Sequence, residues 1–167
     1  MTRKLRVTPE ISYLMGLFAC NPNNEIGIVT DSGEQLERFV KLVMESLGVE
    51  PNKISINQHG ETVSALVYNS KAKKLFAEAL GRRLKIFRWR NSYSANYLAA
   101  LFDCRGGVDA RGLYINGLDD KDALLLENLN VHTFQRRDRS YFLNESDFVS
   151  LIDGVSIKLQ HMARKQT

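Results

Sequence analysis

The feature that most constrains this chain is an internal repeat. Residues 12–20 read SYLMGLFAC and residues 96–104 read NYLAALFDC. At an offset of 84 the two segments share Tyr13/Tyr97, Leu14/Leu98, Leu17/Leu101, Phe18/Phe102 and Cys20/Cys104. The two cysteines of the chain are therefore one position used twice. Self-similarity of this kind decides architecture before any local motif does, and it predicts two similar units in 167 residues.

The order of elements after each copy supports that division. After the first, Glu25–Thr30 reads as a short strand. Leu36, Phe39, Val40, Val43, Met44 and Leu47 then keep the spacing of one buried helix face. Asn52–Gly60 and Glu61–Asn69 alternate as two strands around a His-Gly turn, and a helix with Ala72, Leu75, Phe76, Ala79 and Leu80 on one stripe follows. After the second copy come a strand at Leu113–Asn116, a helix at Asp119–Leu129, a hairpin at Val131–Asn144 and a helix at Glu145–Ile152. Thr8-Pro9-Glu10 is a helix start, with a hydroxyl cap, proline in the first turn and a carboxylate near the positive helix end. Asn144 with Asp147 opens the last helix in the same way.

A unit of about 80 residues with exposed apolar helix faces has a marginal core of its own. The two units, 1–91 and 92–167, should therefore pack into one compact body. The repeated helices are the natural seam, because Gly16 with Cys20, and Ala100 with Cys104, place small side chains at i, i+4 and permit close backbone approach.

Composition narrows the function class. The chain is 44% hydrophobic and 25% charged, as a globular protein should be, with a net charge of +4 and a pI of about 9.1. Its apolar runs, LMGLFAC and LAALF, fall far short of the roughly 20 residues that cross a bilayer. No apolar segment follows the basic start, so a secretory signal is not expected and a cytoplasmic location is. Basic residues gather at Arg3, Lys4 and Arg6, in GRRLKIFRWR (81–90), in FQRRDRS (134–140), and at Lys158, Arg164 and Lys165. Each cluster alone reads as a solvated face, but four of them shift the balance towards a polyanionic partner. There is no phosphate-binding glycine loop, no Cys/His metal cluster and no serine-type triad, so no cofactor is expected.

The second copy with its flank, YLAALFDCRGGVD (97–109), resembles the LAGLIDADG motif of homing endonucleases and the first strand of their DNA-binding saddle. The first copy, YLMGLFACNPNNEIGI, is a weaker version of it, and the order of elements matches from about Thr8 to Val155. The resemblance implies an α+β fold of two pseudo-symmetric α-β-β-α-β-β-α repeats. Their motif helices would pack at the interface, and their antiparallel sheets would form a saddle. It also implies a monomer, since the pseudo-two-fold interface is filled within the chain.

In that family the acid at the eighth motif position of each helix holds the divalent metals that cut DNA. Here those positions are Asn21 and Arg105. Asparagine is a weak neutral ligand, and arginine puts a permanent positive charge where a cation should sit. The expectation is a non-catalytic, metal-free protein that binds DNA or RNA. The rival is an active endonuclease using displaced acids, with Asp103, Asp109 and Glu25 as candidates. Against Asp103, a helix turns it roughly 200° from Arg105. A protein-interaction scaffold, or a part in a ribonucleoprotein, is the remaining alternative.

Candidate binding residues follow from the strands. In the first hairpin Lys53, Ser55 and Asn57 alternate with Ile54 and Ile56, which should face the helices; Thr62, Ser64 and Tyr68 lie opposite Val63, Ala65 and Val67. In the second, Arg136, Arg137 and Arg139 stand near the tip, either as phosphate contacts or as a solvated turn. Lys85 matches a lysine that the family holds near the scissile phosphates. Arg105 has two readings, a phosphate contact in place of the lost metal or a salt bridge to Asp109. Trp89 is a stacking platform or a packing residue at the junction, and His59 is a loop residue. Cys20 and Cys104 are either two buried thiols or a cross-link. The shortened segment GGVDARGLYING implies a smaller saddle than a long-site nuclease needs.

Overall fold

The computed structural model describes residues 5–21, 23 and 25–165. In chain order its regular elements are α1 (Pro9–Ala19), β1 (Ile26–Thr30), α2 (Gly33–Leu47), β2 (Ile54–His59), β3 (Thr62–Val67), α3 (Ser70–Gly81) and the short α4 (Arg83–Ile86). The second half continues with α5 (Ser92–Arg105), β4 (Gly106–Asp109), β5 (Gly112–Asn116), α6 (Asp120–Asn128), β6 (Thr133–Arg136), β7 (Arg139–Phe142), α7 (Glu145–Ile152) and α8 (Ile157–Lys165). No helix among the described residues is long and apolar enough to cross a membrane.

Both copies of the repeat are helices, α1 and α5, and each start is fixed locally. The Thr8 hydroxyl accepts from the Ile11 amide at 3.1 Å, and Asn91 and Ser94 cap each other reciprocally. The two helices form the largest helix–helix contact. Tyr13, Leu14, Leu17 and Phe18 of α1 and Tyr97, Leu98, Leu101 and Phe102 of α5 are all buried, none more than 3% exposed. At roughly 1.5–3 kcal/mol for each large side chain buried, this seam outweighs any single polar contact in the chain.

Close approach depends on Gly16. A Cβ there would lie 2.5 Å from the Ala100 Cβ and 2.6 Å from the Tyr97 carbonyl oxygen. Alanine is the better helix former by about 1 kcal/mol, but overpacking a tight core costs roughly 1–3 kcal/mol and backbone cannot step aside. Gly16→Ala should therefore destabilise the chain by about 1 kcal/mol net in chemical denaturation. Gly81→Ala, where a Cβ meets nothing within 4 Å, should not. Equal behaviour of the two variants would mean that the helices do not pack at Gly16.

Each half carries an antiparallel sheet, ordered β1-β3-β2 in the first and β4-β5-β7-β6 in the second. The halves thus differ by one strand. In the first, only residues 22–25 separate Asn21 from β1, whereas residues 106–111 separate Arg105 from β5 and form β4 and its turn. Ile26, Ile54, Ala65 and Val67 bury one face of the first sheet, and Leu113, Ile115 and Phe142 bury one face of the second. Ile56 departs from expectation: it shares the helix-facing row but is 52% exposed, because β2 is the edge strand and the helices do not reach it there.

The helix α8 is not foreseen by the sequence reading. Its first turn is held by Asp103, whose carboxylate accepts from the Lys158 amide at 3.0 Å, the Ile157 amide at 3.2 Å and the Ser156 hydroxyl at 2.6 Å. The Tyr13 hydroxyl donates to the same group at 2.5 Å. Burial, then the Asp103 charge, pushes the Tyr13 phenol well above its ordinary pKa, so it remains a donor.

Candidate nucleic-acid interface

Strand alternation assigns the outer faces of the two sheets. In the first, Val29, Ser64 and Asn57 form one cross-strand row, and Gly27, Leu66 and Ser55 the next. Ser55 and Asn57 are exposed, as expected, and the Ser64 hydroxyl donates to the Asn57 carbonyl at 3.4 Å. Thr62 is turned to local use, donating to the His59 carbonyl at 3.0 Å across the turn. Lys53 lies in a 3-10 turn before β2, and Tyr68, just past β3, is 77% exposed. This face carries no charge of its own.

The second sheet is chemically different. Its outer row joins Phe134, Tyr141, Tyr114 and Gly107, and the next joins Arg136, Arg139 and Asn116. Phe134 stacks on Tyr141 with centroids 5.5 Å apart, and Tyr141 meets Tyr114 edge-on at 5.9 Å. The Arg139 guanidinium lies 4.1 Å over the Tyr114 ring. Asp109 ties this group together, accepting from Arg139 and from the Tyr141 hydroxyl, each at 2.6 Å. The Tyr141 hydrogen bond, with those of Arg111 and Arg139, holds the Asp109 carboxyl below its ordinary pKa. Arg136 and Arg137 are exposed at the hairpin tip, with Arg137 in the left-handed conformation at φ 57°. Sequence reasoning named the arginines but missed Phe134, Tyr114 and Tyr141. The alternation of Tyr114 with Asn116 and of Arg139 with Tyr141 was the signal.

Between the halves, the ends of α1 and α5 meet a cavity of about 590 Å³ lined by Cys20, Asn21, Glu25, Val29, Cys104 and Arg105. Arg105 does not form the salt bridge to Asp109 that is one of its two readings. Its guanidinium donates to the Cys20 carbonyl at 2.8 Å and the Gly117 carbonyl at 3.1 Å, bridging the negative end of α1 to a turn of the second half. Asp109 is taken by Arg139 instead. Asn21 donates to the Glu25 carbonyl at 3.1 Å, and its side-chain oxygen accepts from the Asn23 amide at 3.0 Å. Hard divalent cations want several oxygens, preferably carboxylate. Glu25 is the one carboxylate among the described lining residues, and no group of three or more acidic, His or Cys side chains converges among the described residues. A single carboxylate among these lining residues is a poor donor set for a hard divalent cation.

The cysteines differ from the expected pair of buried thiols. Both are free, but Cys20 is buried and Cys104 exposed. Hydrogen bonding between them, then burial, raises the Cys20 pKa; the same bond, then Arg105 and Lys158, lowers that of Cys104.

The remaining basic clusters divide. Arg83 donates to Asp122 at 3.0 Å and pairs with Asp119 at 3.2 Å, while Arg90 caps the Leu129 and Asp147 carbonyls at 2.7 and 3.0 Å. Lys85 is exposed on α4, whose neighbours are α3 and α6, so it does not join the sheet residues. Trp89 is 64% exposed beside Arg88 and is not buried at the junction. Lys158 donates to the Gly106 carbonyl at 2.7 Å, and Arg164 pairs with Glu34 at 3.5 Å. Arg3, Lys4 and the Lys165 side chain lie outside the described residues.

No protein-family profile and no curated protein matches the sequence. Solved structures do. The homing endonuclease I-DmoI in complex with DNA and manganese superposes with a TM-score of 0.65 at 16% identity, covering 87% of this chain and 97% of that one. Mesophilic variants of I-DmoI give 0.63 at 17%, covering 86% and 94%. The N-terminal LAGLIDADG domain of WhiA gives 0.59 at 18%, covering 95% of this chain and 90% of that one. The chain thus has the fold of the LAGLIDADG homing endonucleases, with the two copies of its repeat, α1 and α5, as the paired motif helices.

Proposed function

We propose that this protein binds nucleic acid through its sheets and does not cut it. The observation that carries the reading is the pair of motif positions, Asn21 and Arg105, both turned to holding backbone. Of the displaced acids, Asp103 is fully engaged at the start of α8, and Asp109 is engaged by Arg139 and Tyr141. Neither is available to hold a cation without dismantling its surroundings. Binding is supported by the fold shared with DNA-bound I-DmoI and by the arginines of the second sheet. The chain acts as a monomer in the cytoplasm, on DNA or RNA.

The test is the salt dependence of binding, followed by fluorescence anisotropy on labelled DNA and RNA. Binding should weaken steeply with salt, and Arg136→Gln and Arg137→Gln should each lower the log–log slope by about 0.7–0.9. Absence of salt-sensitive binding to either polymer would sink the proposal.

A further inference from the structure

We infer that the second sheet is a shelf for unpaired bases, so that the preferred ligand is a single strand and not a continuous duplex. This rests on the nucleic-acid-binding reading above and deepens it. Inside a duplex the base faces are stacked on one another and a protein meets only edges and phosphates. Reading edges needs free donors and acceptors. Here Arg139 and Tyr141, which flank the rings, are both committed to Asp109. What the shelf still presents is ring surface. Phe134 is 43% exposed, although its ring is already aligned at 23° to that of Tyr141. Every base has a π-face, so an exposed ring set among arginines selects unpaired nucleotides whatever their sequence.

Two further observations point the same way. The strands of the second sheet are four or five residues long. At about 3.3 Å per residue they span roughly 13–17 Å, half of a 34 Å duplex turn. A duplex bound about the pseudo-two-fold would also need a matching surface on the first half. There the outer rows are Gly27, Val29, Ser55, Asn57, Ser64 and Leu66, uncharged, with Val29 73% exposed. The first half brings Lys53, exposed just before β2, whereas the second brings the pair Arg136 and Arg137 beside Phe134. These two exposed arginines hold the backbone of a strand whose base lies on the ring.

The experiment measures anisotropy of the full chain on four probes of one mixed sequence: single-stranded RNA, single-stranded DNA, and the two blunt duplexes. Both single strands, or one of them, should bind more tightly than either duplex. Phe134→Ala should weaken single-strand binding about five- to hundredfold, while Phe134→Trp retains it. Melting curves of each variant exclude a folding effect. Duplex binding as tight as single-strand binding, or single-strand affinity indifferent to Phe134→Ala, would overturn the shelf while leaving the broader function standing. Failure of all four probes would overturn both.

Discussion

Asp103→Ala should destabilise the chain by about 4 kcal/mol and lower its melting temperature by roughly 8–16 °C. The Asp103 side chain is buried, 4% exposed, and accepts from two hydroxyls and two backbone amides. Truncation leaves all four donors without their acceptor, each costing roughly 1–3 kcal/mol when buried, less whatever water can recover. It also removes the cap that starts α8, so the C-terminal helix should lose amide protection before the rest. Asp103→Asn keeps one acceptor oxygen and should recover part of the loss. The measurement is thermal melting with hydrogen exchange on residues 157–165. An unchanged melting temperature would mean that this carboxylate is free for other chemistry, which is what the displaced-acid endonuclease requires.

Arg83→Ala is the second large effect, a loss of about 3–5 kcal/mol. The side chains of Arg83 and Asp122 are only 12% and 7% exposed, and the Tyr97 hydroxyl donates to Asp122 at 2.7 Å. Burial disfavours the Arg83 charge, but Asp122, Tyr97 and Asp119 outweigh it and raise its pKa. Removing the arginine strands the Asp122 charge. An apolar set, Arg83→Met with Asp122→Leu and Tyr97→Phe, should restore most of the stability, because well-packed apolar contacts replace a buried polar group at little cost and no hydroxyl is left without its acceptor. Denaturant titration measures the loss. Nucleic-acid affinity of the folded protein should not change, since this arginine is committed to α6. A stable Arg83→Ala protein with a reduced salt slope would instead place the 81–90 cluster at the interface.

These two residues also mark how far the sequence could be read. The motif helices, the His-Gly hairpin and α7 were legible because apolar periodicity and caps agreed, with Glu145–Ile152 matching to the residue. Helix α8 was missed because Lys158, Arg164 and Lys165 made its segment read as a basic tail. Its signal was present, with Ser156 as a cap and Ile157, Leu159 and Met162 turned inward. Charge clusters were the least informative feature: a run such as GRRLKIFRWR looks uniform, yet Arg83 and Arg90 are structural while Lys85 is solvated. Only the partners distinguish them, and partners from α6 and α7 lie about 39–60 residues away in the chain. The non-acidic residues Asn21 and Arg105 at the ends of the repeated segments were visible, whereas the Arg105 contact to the Cys20 carbonyl depends on the helix crossing and could not be.

The claim that the chain binds nucleic acid without cutting it meets its most direct test on one gel. Supercoiled plasmid and a branched single-strand–duplex DNA are titrated with the protein in magnesium, and again in manganese. The account predicts that both DNAs are recovered intact, and that the branched substrate, or an RNA of the same sequence run beside it, shows a mobility shift that salt reverses. Nicked or linear product that disappears in a Glu25→Gln or Asp109→Asn variant would contradict it.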